Sequence, residues 1–135
     1  MVEGGLDFTL PNGKHTGYIK NIVFNDVHVL VKGGNPASDT LAAPPELGVG
    51  QYNVSNLKIQ PSYGIWARHV MGLTVKESSF NYEQPDGRYV FFLDDVTGAK
   101  ISSINTPPPV NNDPLIKLRH SSGVSIDNVA QHDAK

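Results

Sequence analysis

Asp94-Asp95 is the one pair of adjacent carboxylates in the chain. A carboxylic acid that keeps its proton beside a carboxylate that has lost one is the pairing used in acid–base hydrolysis. Two dipeptides of opposite charge recur at a matching distance, Arg68-His69 upstream and Arg119-His120 downstream. If residues so spaced lie over one another, Arg68, Asp94 and Arg119 form one column, and His69, Asp95 and His120 form the next. An aspartate set between cations is held in its charged form, the opposite of what a general acid needs. The pair is therefore read as part of a structural ladder, with catalysis the lesser reading. Trp66, in the strand that carries Arg68 and His69, is a flat apolar face with donors nearby, which suits a sugar ring. Trp66, Arg68 and His69 are accordingly the candidate carbohydrate-binding residues. The competing reading has the loop 32–62 fold over Trp66 and bury it, and burial is preferred. The five histidines show no His-x-His or His-Glu-x-x-His spacing, so neither a metal site nor a cofactor is expected.

Those residues must be positioned by something repetitive. Ile65–Val75, Phe91–Ile101 and Ile116–Ile126 align on Gly72, Gly98 and Gly123, spaced 26 and 25 residues apart. A partial fourth copy, Ile22–Val27, carries Asn21 in the glycine slot. Gly and Asn are the residues that most readily take positive φ, so the slot reads as one recurring turn. Leu73, Ala99, Val124 and Ile22 fall in one column, and Val75, Ile101, Ile126 and Phe24 in another; both fit an inward face. Ile65/Phe91/Ile116 and Ala67/Leu93/Leu118 behave likewise in the preceding strand. Thr74, Lys100, Ser125 and Val23, followed by Lys76, Ser102, Asp127 and Asn25, fit a mostly polar outward face. A period of two within strands and of about 25 between them is that of a β-solenoid. The expected fold is all-β, a right-handed parallel β-helix of about four coils in one domain spanning 1–135. A β-sandwich with evenly spaced strands is the alternative, but its hairpin turns are missing. Residues 32–62 break the rhythm with Gly33-Gly34-Asn35-Pro36 and Pro44-Pro45 and are read as one long inserted loop.

Composition removes several classes. A net charge of -2 without any Lys/Arg run argues against nucleic acid or an anionic membrane as partner. No apolar run is long enough to cross a bilayer. With no cysteine there is no disulfide, thiolate metal site or cysteine nucleophile. Tyr52, Tyr63, Tyr82 and Tyr89 are read as corner and loop-packing residues, and Asn53-Val54-Ser55 matches a short glycosylation sequon.

Ile19–Val27, Pro45-Glu46 and above all Pro61-Ser62-Tyr63-Gly64-Ile65-Trp66-Ala67-Arg68-His69-Val70-Met71-Gly72-Leu73-Thr74 resemble family 28 glycoside hydrolases, the polygalacturonase-like enzymes, and their bacterial members in particular. Asp86-Gly87-Arg88 and Phe92-Leu93-Asp94-Asp95-Val96 continue the likeness, which covers about residues 17–129. The resemblance implies the last coils of a β-helix, downstream of a centre that hydrolyses pectic polysaccharide with inversion. That family's catalytic motifs are Asn-Thr-Asp, Gly-Asp-Asp, Gly-His-Gly and Arg-Ile-Lys. Here Asn105-Thr106 is followed by Pro107, Asp94-Asp95 is preceded by Leu93, and Ile116-Lys117 lacks the arginine. No catalytic residue carries over.

Two functions follow. In the first, the chain is the C-terminal part of a pectin-type glycoside hydrolase, catalytically incomplete alone, whose parent is a periplasmic or secreted bacterial protein. In the second, it is a non-catalytic β-solenoid module that binds carbohydrate or serves assembly. A pectic oligosaccharide is the candidate small partner. A β-helix cut across its coils presents a row of unpaired backbone groups, so a homo-oligomer formed through that exposed edge is expected as well.

Overall fold

β-Branched and aromatic residues alternating with polar ones build strands over most of the described chain. A computed structural model describes residues 2–3, 8–9, 15–16, 18–43, 59–109 and 114–131. Its strands are β1 (Val2–Glu3), β2 (Phe8–Thr9), β3 (His15–Thr16), β4 (Ile19–Asn25), β5 (His28–Gly33), β6 (Ser62–Gln84), β7 (Tyr89–Thr106), β8 (Ile116–Arg119) and β9 (Ser122–Gln131). A single 3-10 turn, Ala37–Leu41, is the one helical element among the described residues. The protein is all-β. β2 and β3 form a small antiparallel pair; every other strand joins one parallel sheet centred on β6 and β7.

The register of that sheet is the register of the repeat. Ile22 pairs with Leu73, Leu73 with Ala99 and Ala99 with Val124; Phe24, Val75, Ile101 and Ile126 follow in the same order. Residues about 25 apart are thus neighbours across a single strand spacing of about 4.8 Å. The strands are longer than the short pairs the sequence suggests. β6 runs 23 residues and β7 runs 18 without a break. The turn residues explain why. Gly72, Gly98 and Gly123 have φ of 82°, 72° and 65°, and Asn21 in the same slot has 57°. Asp26, Glu77, Ser103 and Asn128 form a second positive-φ column, and His69, Asp95 and His120 a third. A left-handed residue redirects the chain while its neighbours stay bonded to the next strand, so the ladder passes through the bend. A Cβ on Gly72 would also come within 2.8 Å of Asn21 Oδ1, so that side chain would have to shift, but the positive φ is what calls for glycine.

The core is the inward set of β6 and β7. Ile65, Ala67, Val70, Leu73, Val75, Phe80, Phe91, Leu93, Val96, Ala99, Ile101 and Ile104 are all buried. Phe80 and Phe91 meet edge to face at 4.9 Å between centroids. The outer strands carry the same columns but leave them partly open: Leu93 is 0% exposed and Leu118 is 41%, Ile101 is 1% and Ile126 is 47%. The inward direction expected for Leu118 and Ile126 holds in register, but nothing among the described residues stacks over them.

The inserted segment begins later than the sequence suggests. Lys32 and Gly33 still belong to β5, where Gly33 pairs with Gln84, and Ser62 already belongs to β6. The Asn35 carbonyl accepts from the Gly87 N–H at 2.9 Å, so the first part of the insertion lies on the 85–88 turn. Residues 44–58 fall outside the described residues, and with them Pro45-Glu46, Tyr52 and the Asn53 sequon.

Candidate functional site

The third positive-φ column gathers most of the residues singled out from the sequence. Arg68, Asp94 and Arg119 occupy one register position on β6, β7 and β8, and the next residues, His69, Asp95 and His120, each turn the chain with positive φ. The Arg119 guanidinium donates to Asp94 Oδ2 at 2.7 Å. This hydrogen bond to a carboxylate raises the Arg119 pKa above its ordinary value. His69 Nδ1 lies 2.7 Å from Asp95 Oδ2, and the Tyr18 hydroxyl donates to the same oxygen. The Tyr18 and His69 rings meet edge to face at 5.6 Å. Neighbouring pairs therefore alternate in charge across the strands. His120 shares the column's positive φ but not its pairing, since its Nδ1 is 4.0 Å from Asp94; it follows the last residue of β8 and is largely exposed.

Of the two readings at Trp66, Arg68 and His69, the structure follows the preferred one, burial, and not sugar stacking. Trp66 is 2% exposed, and Arg68 and His69 are buried as well. The Arg68 guanidinium lies 4.4 Å from the indole centroid, so a cation already covers the face a sugar would need. In the same outward column Phe92 is buried while Lys117 is exposed. The reason is packing, which an alternation of residue types does not reveal: outward residues of an inner strand can be covered too.

Two groupings in the structure have no signature in residue spacing. In the first, Asp86 and Arg88 form a fork-to-fork ion pair, Nε to Oδ1 and Nη2 to Oδ2, both 2.9 Å, with the Asp86 side chain 0% exposed. Arg88 also donates to the Gln60 carbonyl at 3.4 Å. Tyr63, Tyr82, Pro107, Pro108 and Leu115 complete the wall of a narrow cleft beside this pair, whose interior volume of about 10 Å³ cannot enclose a sugar ring. Aspartate and arginine two residues apart are too common a pattern to flag such a pair. The second grouping is a chain of Ser79, His28 and Asp26: His28 Nδ1 is 2.7 Å from Ser79 Oγ and Nε2 is 2.8 Å from Asp26 Oδ1. These three types in sequence are those of a nucleophilic hydrolase. Here, however, the Asp26 side chain is 78% exposed, and the Ser79 N–H is spent on the Val27 carbonyl. The charge is screened by water, and that N–H is not free to stabilise an oxyanion.

Tyr63 links the cleft to alkaline stability. Its hydroxyl shares a 3.0 Å hydrogen bond with Thr106 Oγ1, yet burial dominates and pushes its pKa from 10.0 up to about 12. The unfolded chain therefore loses this proton at lower pH than the folded one. The stabilisation is fully present below about pH 10 and drains away as pH rises towards about 12. Urea unfolding across that window is expected to show a steeper loss in the wild-type protein than in Tyr63→Phe.

Among the described residues no three His, Asp or Glu side chains are grouped to hold a metal ion. The class this geometry defines is an all-β protein on a long-stranded parallel sheet, with charged pairs lined up across its strands. No family model, no curated protein and no solved structure matches the chain.

Proposed function

We propose that the chain consists of coils of a right-handed parallel β-helix and serves as the terminal, non-catalytic part of a polygalacturonase-like glycoside hydrolase acting on pectic polysaccharide. The observation that supports the coil reading is the length of β6 set against the short connection that follows it. A straight strand of 23 residues spans about 75 Å. Yet Ser62 at its start pairs with Tyr89, and only residues 85–88 separate Gln84 from Tyr89, a reach of about 18 Å at most. A β6 that curls until its end returns to its beginning fits both distances, with the three positive-φ columns as its corners. Parallel crossovers of this kind are right-handed in nearly all proteins.

The hydrolase reading is supported by the residues of the resemblance. Pro61–Thr74 forms the first half of the best-buried rung, and Asp86-Gly87-Arg88 closes that rung onto the next. The aspartates that remain, Asp94 and Asp95, are committed to Arg119 and to His69 with Tyr18, which leaves neither poised as acid or base. The second reading, a non-catalytic solenoid for carbohydrate binding or assembly, draws on the open columns at Leu118 and Ile126.

Reducing-end release from polygalacturonate separates the two when the encoding reading frame is expressed whole. Release by the whole protein, with none from residues 1–135 alone, is the expected result. A whole protein that neither releases reducing ends nor binds pectic oligosaccharide overturns the hydrolase reading. Turnover by residues 1–135 overturns the claim that this part is non-catalytic.

A further inference from the structure

We propose that the outward face along the glycine column is a track for an unbranched acidic polysaccharide, a polyuronate lying across the rungs. The inference rests on the pectic reading above for the identity of the polymer, and adds where this chain holds it. An outward face stays outward whatever stacks on the outer rungs. Gly72, Gly98 and Gly123 follow one another across β6, β7 and β9 and leave a strip with no side chain. A Cβ on Gly98 would meet nothing within 4 Å, so the strip lies open. On one flank stand Lys20, Met71, Thr97 and Ser122, all exposed. On the other stand Val23, Thr74, Lys100 and Ser125, of which only Thr74 is partly covered.

The charges choose the occupant. Lys20 and Lys100 stand on opposite flanks, two strand spacings apart, or about 10 Å along the strip. Among the described residues neither has an ion-pair partner, and nor has Lys76 on the same face. One small anion cannot reach both flanks, whereas a chain with a carboxylate on every ring can. The rungs repeat at about 4.8 Å, close to the advance of one ring in an extended pyranose chain, so each rung offers its donors to one ring. Val23 and Met71, 60% and 40% exposed, add apolar contact for the C–H faces of those rings. Acidic groups border the strip without entering it. Asp127 lies in the column of Lys76, and Asp26 and Glu77 turn the corner beyond. Asp95, beyond the other flank, is held by His69 and Tyr18. The strip is thus basic in a chain of net charge -2, and its borders repel a polyanion that strays from it.

Calorimetric titration of the chain with an oligogalacturonate tests this. The wild-type protein is expected to bind, and to bind more weakly as salt rises. Lys20→Ala/Lys100→Ala is expected to weaken binding roughly ten-fold, while Lys32→Ala, which removes an exposed lysine of β5, leaves it unchanged. Gly98→Asn fills the strip with the residue that Asn21 already places in this slot at positive φ. It is expected to weaken binding several-fold with the urea midpoint unchanged, a result that scattered surface charge does not produce. Absence of binding by the wild-type protein overturns the inference. So does a double variant that binds as well as wild type, or equal binding of a neutral galactan of the same length. Equal binding of single-stranded DNA overturns it in favour of a surface for any polyanion. Reducing-end release by the whole protein reports on the hydrolase reading separately. Release without binding by this chain sinks the track and leaves that reading standing; lysine-dependent binding without release does the reverse.

Discussion

Asp86→Ala is expected to lower the free energy of unfolding by about 3–5 kcal/mol, the usual cost of leaving one partner of a buried ion pair alone. The Asp86 carboxylate has no exposed surface, and it accepts the Arg88 Nε and Nη2 donors together with the Arg88 N–H at 3.0 Å. Removing it strands a guanidinium in the cleft and frees the turn that carries β6 into β7. Urea unfolding followed by the fluorescence of the single tryptophan measures the loss, since Trp66 is buried in the folded state. The double variant Asp86→Ala/Arg88→Ala should recover part of it, because no charge is then left unpaired. Equal midpoints for Asp86→Ala and the wild-type protein would show that the pair contributes nothing.

The second large effect is a contrast inside one column. Leu93→Ala is expected to cost about 2–5 kcal/mol, the range for emptying a closed core site. Leu118→Ala, the same change one rung further out, is expected to cost about 1 kcal/mol or less at concentrations where the chain is monomeric. Both residues follow the same register, but Leu93 is covered on both sides and Leu118 on one. Equal losses at the two sites would mean that Leu118 is as closely packed as Leu93.

The columns were legible in the sequence because a period of two and a period of about 25 are each written in residue types. Leu73, Ala99 and Val124 share an environment, and so share a chemistry that alignment can find. The Asp94–Arg119 and His69–Asp95 pairs were legible for the same reason, since in-register copies one repeat apart must be neighbours. Tyr18 was not, because it reaches Asp95 from a rung separated from β7 by β6, across 77 residues of sequence. Nor were the Asp86–Arg88 fork and the Ser79–His28–Asp26 chain: both depend on how the turn or corner aims its side chains, which no spacing records.

By itself the sequence determined that the chain is all-β, that Asn21, Gly72, Gly98 and Gly123 mark one recurring turn, and which residues meet across strands, because a glycine or asparagine turn and alternating polarity are local demands met locally; the two other positive-φ columns carry no such residue signature. Only the tertiary structure decided what is covered. Trp66 lies on an outward position and is nonetheless buried beneath Arg68, while Leu118 lies on an inward position and is nonetheless exposed. Burial depends on what other parts of the molecule, or a neighbouring molecule, lay over a position, and a residue's own repeat carries no record of that.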